Sequence, residues 1–397
     1  MTAQNKSYDV VIVGGGMYGA SVSWWLSQTP GFSGRILVVE RDPTYENAAT
    51  SHTNSCMRQQ FSNPVNIAIS RFCAEFVRNF RDYMGGDPDV PELAMHCFGY
   101  LYLADTPAFA ETLQESQNIQ AGLGAATQFM TRDEIAAAWP FYQLDDIVGG
   151  NYNAVDEGYF DGGTMFDWFR RMGARNGVEY IHDEVVSLQK NAGRIDSVTL
   201  KSGAVISCGV LVNAAGTRGV RVAEMAGIQV PVEPRKRYTY IFDAAEPLEK
   251  DLPLTIDPSG VHFRTDGRYY MAGGHADEDP AVDQDDFVAD HGLWEEKFWP
   301  IIATRVPAFE RVRVINMWVG HYDFNTLDQN AIVGASPEVS NFMFLNGFSG
   351  HGLQQAPALG RGLAELITNG AYSSIDLSAF GAGRILAGEK FLEKAVI

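Results

Sequence analysis

The chain has 397 residues, of which 46% are hydrophobic and 20% are charged, so it can bury a large core as an ordinary globular protein. Its formal net charge of −19 makes nucleic acid and anionic membrane surfaces poor partners. The four cysteines form no Cys-x-x-Cys pair, which argues against zinc sites, iron–sulfur sites and a disulfide framework. The N-terminus lacks an apolar signal core and no run of about 18 apolar residues exists, which predicts a cytoplasmic protein without a transmembrane segment.

The N-terminal region carries the main motif of the sequence. An apolar, β-branched stretch at 8–13 predicts a buried strand, and a second such stretch at 35–40 ends on Glu40. Between them, three glycines in the spacing G-x-G-x-x-G precede a helix-compatible segment: Gly14, Gly16 and Gly19. This order of strand, turn, helix, strand and acid is the context in which the motif predicts a dinucleotide site, and a plain tight turn is the alternative.

Each residue of this motif has a physical role in such a site. Gly14 permits a tight turn, Gly16 lets a pyrophosphate approach the backbone, and Gly19 lets the helix pack closely on the strand. The free N–H groups at the helix N-terminus attract the phosphates. Glu40 can accept hydrogen bonds from a ribose 2′-hydroxyl and disfavours a 2′-phosphate, so the sequence favours FAD or NAD over NADP.

The remaining elements follow in chain order. The segment 43–61 is polar and too long for an idle connection, so we expect it to line a ligand. Asn63 and Pro64 predict the start of a helix. Periodicity and turn residues predict strand 98–104, helices 107–120, 132–139 and 165–176, strands 178–182, 184–189, 195–200, 205–207, 210–215, 237–242, 261–264 and 269–273, an acidic loop at 277–290, helix 293–305, strands 312–322 and 342–345, and helix 357–369.

A second glycine-rich turn, GFSGHGL at 347–353, lies near the other end of the chain. It lacks the G-x-G-x-x-G spacing and a following strand with an acid, so it does not predict a second nucleotide site. One extended FAD can use both turns, with its pyrophosphate at Gly14–Gly19 and its ring at Gly347–Gly352.

These strings resemble a known family. VIVGGGMYGASVSWWL (11–26), VVER (38–41), VNAAG (212–216) and GFSGHGL together resemble the D-amino-acid oxidase superfamily, with sarcosine oxidase and glycine oxidase as the nearest enzyme types. The resemblance covers nearly the whole chain. A closer likeness is to FAD-dependent oxidoreductase-domain proteins associated with respiratory complex I assembly, and it is carried by MRQQFSNPVNI (57–67), RVPAFE (305–310), YDFNTLDQNAIVG (322–334) and GFSGHGLQQAPALGR (347–361).

The resemblance and the order of elements predict an α/β protein. A Rossmann-like FAD-binding domain is expected to be interleaved with a second domain, an α+β substrate part built on a mixed or antiparallel sheet. We expect the FAD-binding domain to comprise 1–90, 155–230 and 330–397, and the substrate domain to comprise 91–154 and 231–329.

The resemblance implies oxidation of the C–N bond of an amino acid or secondary amine, such as an N-substituted amino acid, to an imine, with hydride transfer to flavin N5. Sarcosine oxidases tether FAD through a cysteine that would fall near His321, but residues 312–352 contain no cysteine, so noncovalent FAD is expected. The oxygen-activating lysine of these oxidases is matched near Met271, and their carboxylate-binding lysine by Gln354. These departures favour a dehydrogenase over an oxidase.

The motifs and the resemblance imply a set of FAD-binding residues and no metal ligand: Gly14, Gly16, Met17, Gly19, Glu40, Arg41, Ser51, His52, Val185, Ala214, Ala215, Gly216, Gly347, Ser349, Gly350, His351, Gly352 and Leu353. A helix N-terminus after Gly352 would stabilise the anionic reduced ring. His52 could also be a covalent tether.

Candidate catalytic residues are cations and histidines expected on the substrate side: Arg58, His262, Arg264, His275 and His321. Arg58 and Arg264 could each bind a substrate carboxylate, and structural ion pairs are the alternative. Arg235 and Arg237 are interpreted as a charged strand edge. Each histidine could act as a base or orienting group, or simply as a satisfied hydrogen-bonding group.

Two classes of function stay open at this point. The first is an amine or amino-acid dehydrogenase whose electron acceptor is dioxygen, a quinone or a redox protein, with a possible partner subunit. The second is a flavoprotein that serves as an assembly or electron-transfer partner with little turnover, which a pocket without a cation near the flavin would favour. A flavin hydroxylase is disfavoured, because its Gly-Asp motif is replaced by GFSGHG.

Overall fold

The computed structural model describes residues 6–394. The strands are β1 Lys6–Val13, β2 Ile36–Glu40, β3 Cys56–Met57, β4 Met95–His96, β5 Tyr100–Ala104, β6 Gln128–Thr131, β7 Gly149–Asn153, β8 Gly158–Phe160, β9 Glu179–His182, β10 Val185–Asn191, β11 Arg194–Leu200, β12 Val205–Asn213, β13 Val232–Ala244, β14 Leu254–Ile256, β15 His262–Asp266, β16 Tyr269–Gly274, β17 Val312–Asn325, β18 Ile332–Ala335 and β19 Phe342–Asn346. The α-helices are α1 Met17–Gln28, α2 Pro64–Arg78, α3 Phe80–Tyr83, α4 Pro107–Gly122, α5 Arg132–Ala138, α6 Gly162–Arg175, α7 Gly219–Met225, α8 Trp299–Arg305, α9 Gly352–Asn369 and α10 Gly383–Ala387.

The first large sheet has a parallel centre, β19-β12-β1-β2-β9. The hairpin strands β10 and β11 pair antiparallel beside the start of β12, and β18 pairs antiparallel with β19. Because β1 is buried on both faces, its successive side chains enter different cores. Val10 and Ile12 pack in the cluster that contains α1, α2, α6 and α9, whereas Val11 and Val13 pack in the cluster that contains α7.

The second large sheet has the order β17-β13-β16-β15-β14-β5-β7-β6 and is antiparallel except where β5 pairs with β14. Residues of β13, β15, β16 and α8 form its core, with Phe242, Phe263 and Phe298 fully buried. A third sheet has three short strands, β3-β8-β4. The predicted mixed α/β fold class is confirmed, and the domain boundaries given above stay a prediction.

Several predicted element boundaries were wrong for identifiable reasons. The strands expected at 205–207 and 210–215 form one strand, β12, in which Gly209 allows the backbone of Asp9 to approach: a Cβ there would lie 2.6 Å from the Asp9 oxygen. Helix α6 begins at Gly162 rather than 165, because the Asp161 side chain caps it by accepting from the Thr164 N–H. Helix α9 begins at Gly352 rather than 357, with Pro357 inside it.

The acidic segment 277–290 is a loop, as the sequence predicts. Among residues 6–394, none of the helices combines the length and apolar composition that crossing a bilayer requires. The two large sheets together form the frame of a cavity.

Candidate cofactor and substrate site

A cavity of about 310 Å³ is lined by residues of both large sheets. Ligand pockets typically enclose about 300–1,000 Å³. Its lining runs from the β1–α1 turn and the end of β2, along the loop before β3, to β13, β17 and the start of α9. The cavity therefore joins the two glycine-rich turns.

The first turn is packed so tightly that only glycine fits at two of its positions. Gly14 has φ +97°, and a Cβ there would lie 2.5 Å from the Ala214 oxygen. A Cβ at Gly19 would lie 1.9 Å from the Gly14 oxygen. Gly16, the N-cap of α1, differs because its nearest neighbour would be the Thr50 hydroxyl at 3.1 Å. The protein's own packing therefore leaves space at Gly16, which is compatible with the approach of a pyrophosphate that the motif predicts.

Glu40 is fixed at the end of β2 by two backbone N–H groups. Gly15 donates to its Oε2 at 2.7 Å and Asp42 donates to its Oε1 at 2.8 Å. Carboxylate oxygens have further acceptor sites, and Glu40 lines the cavity. A nucleotide ribose bound above the β1–α1 turn can therefore be recognised by this carboxylate.

The second turn is supported from β17 and α1. The Asp323 carboxylate accepts from the Gly347 N–H at 2.9 Å, and burial raises the pKa of that carboxyl to about 6. The Tyr18 ring stacks on Phe348 with 3.9 Å between centroids. A Cβ at Gly350, whose φ is +94°, would lie 2.3 Å from the Tyr322 ring. The 18-residue helix α9 begins directly after this turn, so its N-terminal partial positive charge faces the cavity edge formed by His351, Gly352 and Leu353.

Arg58 lines the cavity beside the second glycine-rich turn, and it is only 2% exposed. We call this end of the cavity the substrate end, for the role proposed below. Its Nη1 donates to the Gln60 oxygen at 2.7 Å and its Nη2 to His351 Nε2 at 2.8 Å. Its backbone N–H donates to the Gln354 side chain at 2.8 Å. Burial and the Arg58 charge lower the pKa of His351 to about 3, so the imidazole is neutral and can accept this hydrogen bond.

His262, the first residue of β15, also lines the cavity. Its Nε2 lies 3.3 Å from Asn54 Nδ2, and the Asn54 oxygen accepts from Thr239 Oγ1 at 3.1 Å. Burial, assisted by the charges of Arg264 and Arg237, lowers the pKa of His262 to about 4. The chamber therefore contains a neutral imidazole at physiological pH.

Two predicted catalytic residues are not brought to the cavity. The Arg264 guanidinium pairs with Asp266 at 2.7 Å and donates to the Thr265 oxygen at 2.9 Å, and it is absent from the lining. His275 is also absent from the lining, and its Nδ1 lies 2.6 Å from the Ala276 oxygen. The geometry thus supports the structural alternative for Arg264.

The other two predicted histidines line the cavity but are tied to loops. His321 Nε2 donates to the Asp286 oxygen at 2.9 Å, and its ring stacks on Phe287 with 4.3 Å between centroids. His52 Nδ1 lies 3.2 Å from the Ala48 oxygen. Both histidines therefore lie in the cavity wall beside the acidic loop, where their rings face Phe287.

The structure also brings Arg237 to the cavity, although the sequence was interpreted to place it on a charged strand edge. Arg237 on β13 lines the cavity and lies over the Tyr322 ring, 4.6 Å from its centroid. Its strand pairs with β17 at this point but not with β16, so the segment is locally an edge that borders the cavity. The sequence pattern that could have predicted this position is the alternation of Arg235, Arg237 and Thr239, which puts these side chains on one face of a strand.

Most of the predicted FAD-binding residues line the cavity: Gly14, Gly16, Met17, Glu40, Arg41, His52, Val185, Ala214, Ala215, Gly216, Ser349, Gly350, His351, Gly352 and Leu353. Ser51, Gly19 and Gly347 lie outside the lining, and the two glycines act through the backbone packing of their turns. Within residues 6–394, no three His, Cys, Asp or Glu side chains are grouped to hold a metal.

Comparison with known proteins agrees with this geometry. The sequence model of the DAO family, described as FAD dependent oxidoreductase, matches residues 9–366. The chain is 38% identical to FAD-dependent oxidoreductase domain-containing protein 1 of Xenopus laevis over 98% of this chain and 85% of that protein. It is 24% identical to sarcosine oxidase subunit beta of Rhizobium meliloti (strain 1021) over 92% of this chain and 85% of that protein.

Solved structures share the fold. L-proline dehydrogenase from P. horikoshii superposes with a TM-score of 0.83 at 22% identity, covering 97% of this chain and 99% of the other. Glycine oxidase from Geobacillus kaustophilus gives a TM-score of 0.78 at 18% identity, covering 95% and 98%. The glycine turns, the fixed Glu40 and the helix N-terminus at Gly352 fit an extended FAD. The chain therefore belongs to the DAO family of FAD-dependent oxidoreductases, and FAD is its cofactor.

Proposed function

We propose that the protein oxidises the C–N bond of an amino acid or an N-substituted amino acid to an imine, as a dehydrogenase rather than an oxidase. The substrate loses a hydride from carbon and a proton from nitrogen, and water then hydrolyses the imine to a carbonyl compound and an amine. FAD, when bound, supplies the two-electron acceptor. The observation that carries the proposal is the environment of Arg58.

Arg58 is a buried cation without a carboxylate partner in the described part of the chain. Its two side-chain hydrogen bonds go to a main-chain oxygen and a neutral imidazole. The buried carboxyl of Glu157 accepts instead from the Gln59 N–H at 2.6 Å and from Gln60 Nε2 at 2.9 Å. Leaving a buried charge unpaired is costly, and Arg58 lines the cavity beside the second glycine-rich turn, at 347–353. A substrate carboxylate would satisfy it and would fix the reacting carbon near the flavin.

The neutral imidazoles in the cavity wall suit an amine that must react unprotonated. His262 and His351 have pKa values lowered to about 4 and about 3, so neither adds positive charge near the substrate nitrogen at neutral pH. Their role in the proposal is to shape and orient: His351 holds Arg58, and His262 lines the same cavity together with Asn54 and Thr239.

The dehydrogenase part of the proposal rests on the departures from the related oxidases. No lysine lines the cavity in the part of the chain that the structure describes. Met271, which matches the oxygen-activating lysine, is 1% exposed and lies in β16 outside the lining. The expected acceptor is therefore a quinone or a redox protein, with dioxygen a slow one.

Anaerobic flavin bleaching tests this function directly. The purified holoprotein is mixed with D- and L-amino acids, N-methyl amino acids and N-carboxyalkyl amino acids, and the flavin absorbance is followed. We expect bleaching by one class of carboxylate-bearing amine and slow recolouring in air compared with a quinone. Fast recolouring in air would contradict the dehydrogenase assignment. If no amine bleaches the bound FAD, the result would favour the alternative in which the protein is an assembly or electron-transfer partner. The guanidiniums of Arg58 and Arg237 in the cavity wall argue against that alternative.

A further inference from the structure

Arg237 carries an open hydrogen-bonding edge in the wall of the cavity. Its Nη1 donates to the Lys236 oxygen at 2.7 Å and to Asp279 Oδ1 at 2.8 Å, and its Nη2 donates to Asp279 Oδ2 at 3.0 Å. Asp279 thus occupies the edge between the two terminal nitrogens. The Nε–Nη2 edge has no partner among residues 6–394, and it is the second edge by which a guanidinium can bind a carboxylate with two hydrogen bonds.

The charge on Arg237 is only partly neutralised. Asp279 is shared with Arg235, whose Nη1 lies 3.4 Å from Oδ2. The three side chains therefore carry one net positive charge. Glu233 contacts Arg235 at 3.1 Å, but its side chain is 42% exposed and its charge is screened by solvent. Formally, Asp279 and Glu233 balance the two arginines, so an anion entering the cavity is attracted by the open edge of Arg237 rather than by a net charge of the cluster.

A short series of contacts connects Arg237 with Arg58 across the second glycine-rich turn. Arg237 lies over Tyr322, the Tyr322 ring abuts Gly350, and the neighbouring His351 accepts from Arg58. Both guanidiniums line the same cavity. Both cations are therefore exposed to a single ligand in the cavity, with the second glycine-rich turn between them.

We propose that Arg237 binds a second carboxylate, so that the substrate is a dicarboxylic secondary amine whose first carboxylate is held by Arg58. This inference rests on the proposed function, because it names the substrate class of the same site. It gives a role to the second of the two arginines, Arg58 and Arg237, that lie on either side of the second glycine-rich turn in the cavity wall. A monocarboxylic amine would leave the open edge of Arg237 without an anion.

Binding of thioether analogues tests the inference without turnover. Thiodiacetate and methylthioacetate replace the amine nitrogen with sulfur and differ by one carboxylate. Each is titrated into the holoprotein, and the perturbation of the flavin absorbance gives the Kd. We expect thiodiacetate to bind more tightly than methylthioacetate. Arg237→Gln should raise the Kd of thiodiacetate roughly 10- to 100-fold and should change that of methylthioacetate by less than about threefold.

Arg235→Gln is the matched control, because Arg235 shares Asp279 but does not line the cavity. It should leave both Kd values within about threefold of the wild-type values. Arg237→Lys keeps the charge but removes the planar edge, and it too should weaken thiodiacetate selectively. Equal binding of the two analogues by the wild type, or equal weakening of both by Arg237→Gln, would overturn the inference.

The same titrations separate this inference from the proposed function. Bleaching by monocarboxylic amines with no preference for thiodiacetate would refute the second carboxylate alone. Arg237-dependent binding of thiodiacetate, without bleaching by iminodiacetate or any other amine, would refute amine oxidation while leaving the ligand class intact. Iminodiacetate against sarcosine is therefore the decisive substrate pair.

Discussion

The two ends of the cavity are built from different parts of the polypeptide. At the nucleotide end, consecutive residues of the main chain make the site, and Gly14 packs against the backbone of Ala214. At the substrate end, side chains from separate segments make it: Arg58 from the loop after β3, Arg237 from β13 and His351 before α9. The nucleotide end presents N–H groups and space beside the half-buried Glu40 and partly exposed charges such as Arg41, whereas the other end presents the guanidiniums of Arg58 and Arg237.

This difference predicts two kinds of response to substitution. A site made of backbone and empty space fails as a unit when that space is filled, but it depends little on any one charge. A site made of buried side chains loses the interactions of each residue separately, with large effects because the charges are poorly solvated. The predictions below use that contrast, from the largest expected effect to the smallest.

Filling the space at Gly16 should abolish FAD retention without unfolding the protein. Its backbone is extended at φ −65°, and a Cβ would meet only the Thr50 hydroxyl, at 3.1 Å. Gly16→Val should therefore purify folded and colourless, with the melting temperature of wild-type apoprotein. Gly14→Ala should instead lower the stability itself, since φ +97° and the Ala214 contact exclude a side chain. Full flavin content in Gly16→Val would contradict the pyrophosphate assignment.

The same contrast explains what could be predicted from the sequence. The β1–α1–β2 unit and its glycines are local in sequence, so their spacing alone predicted the nucleotide end. The start of α9 was misplaced because Pro357 resembles a first helical residue, whereas the helix tolerates it within its first two turns.

The substrate end depends on which strands lie side by side, and no local pattern specifies that. Arg264 was favoured over Arg237 because a buried arginine needs an anion, but Asp266, two residues later on the same face of β15, supplies one. Arg237 borders the cavity because β13 extends beyond β16 while remaining paired with β17. That register is a long-range property of the sheet.

Removing the Arg58 cation should cost substrate binding roughly 100-fold or more, because a buried charge–carboxylate pair is lost. Arg58→Gln should raise the Kd for flavin reduction by carboxylate-bearing amines while FAD stays bound. Arg264→Gln is the matched control: it also removes a buried arginine, but one already paired with Asp266 outside the cavity. Rapid-mixing reduction kinetics of both variants check this. An equal loss in the two variants would show that the effect is structural.

Glu157 should make the stability of the substrate end depend on pH. Burial raises the pKa of this carboxyl from 4.5 to about 7, against the opposing hydrogen bonds from Gln60 and Gln59. Because the folded state holds the proton more tightly, its stabilising contribution is complete below about pH 4.5 and is lost as the pH rises to about 7, a change of about 3 kcal/mol.

Glu157→Gln mimics the protonated acid and removes this titration. The difference in unfolding free energy between wild type and Glu157→Gln should therefore shift by about 3 kcal/mol in favour of the variant between pH 4.5 and pH 7.5, and should then stay level. Urea unfolding of the two proteins across this range measures it. A difference independent of pH would show that Glu157 keeps an ordinary pKa, and Gln59 and Gln60 would then be held by a permanent carboxylate.

The smallest effect is expected from the charges around the nucleotide end. Asp285 on the acidic loop lines the cavity and pairs with Arg218, and it lies 3.8 Å from Arg41. Because its side chain is 61% exposed, its interactions are weak and screened by salt. Asp285→Asn removes a negative charge from the lining of the cavity, so FAD should bind about two- to fivefold more tightly at low ionic strength and equally at about 1 M salt. Fluorescence titration of apoprotein with FAD measures both. Weaker binding would mean that the loop, held by Arg218, contributes to the site by its position, and the nucleotide end would then depend on side chains as the substrate end does.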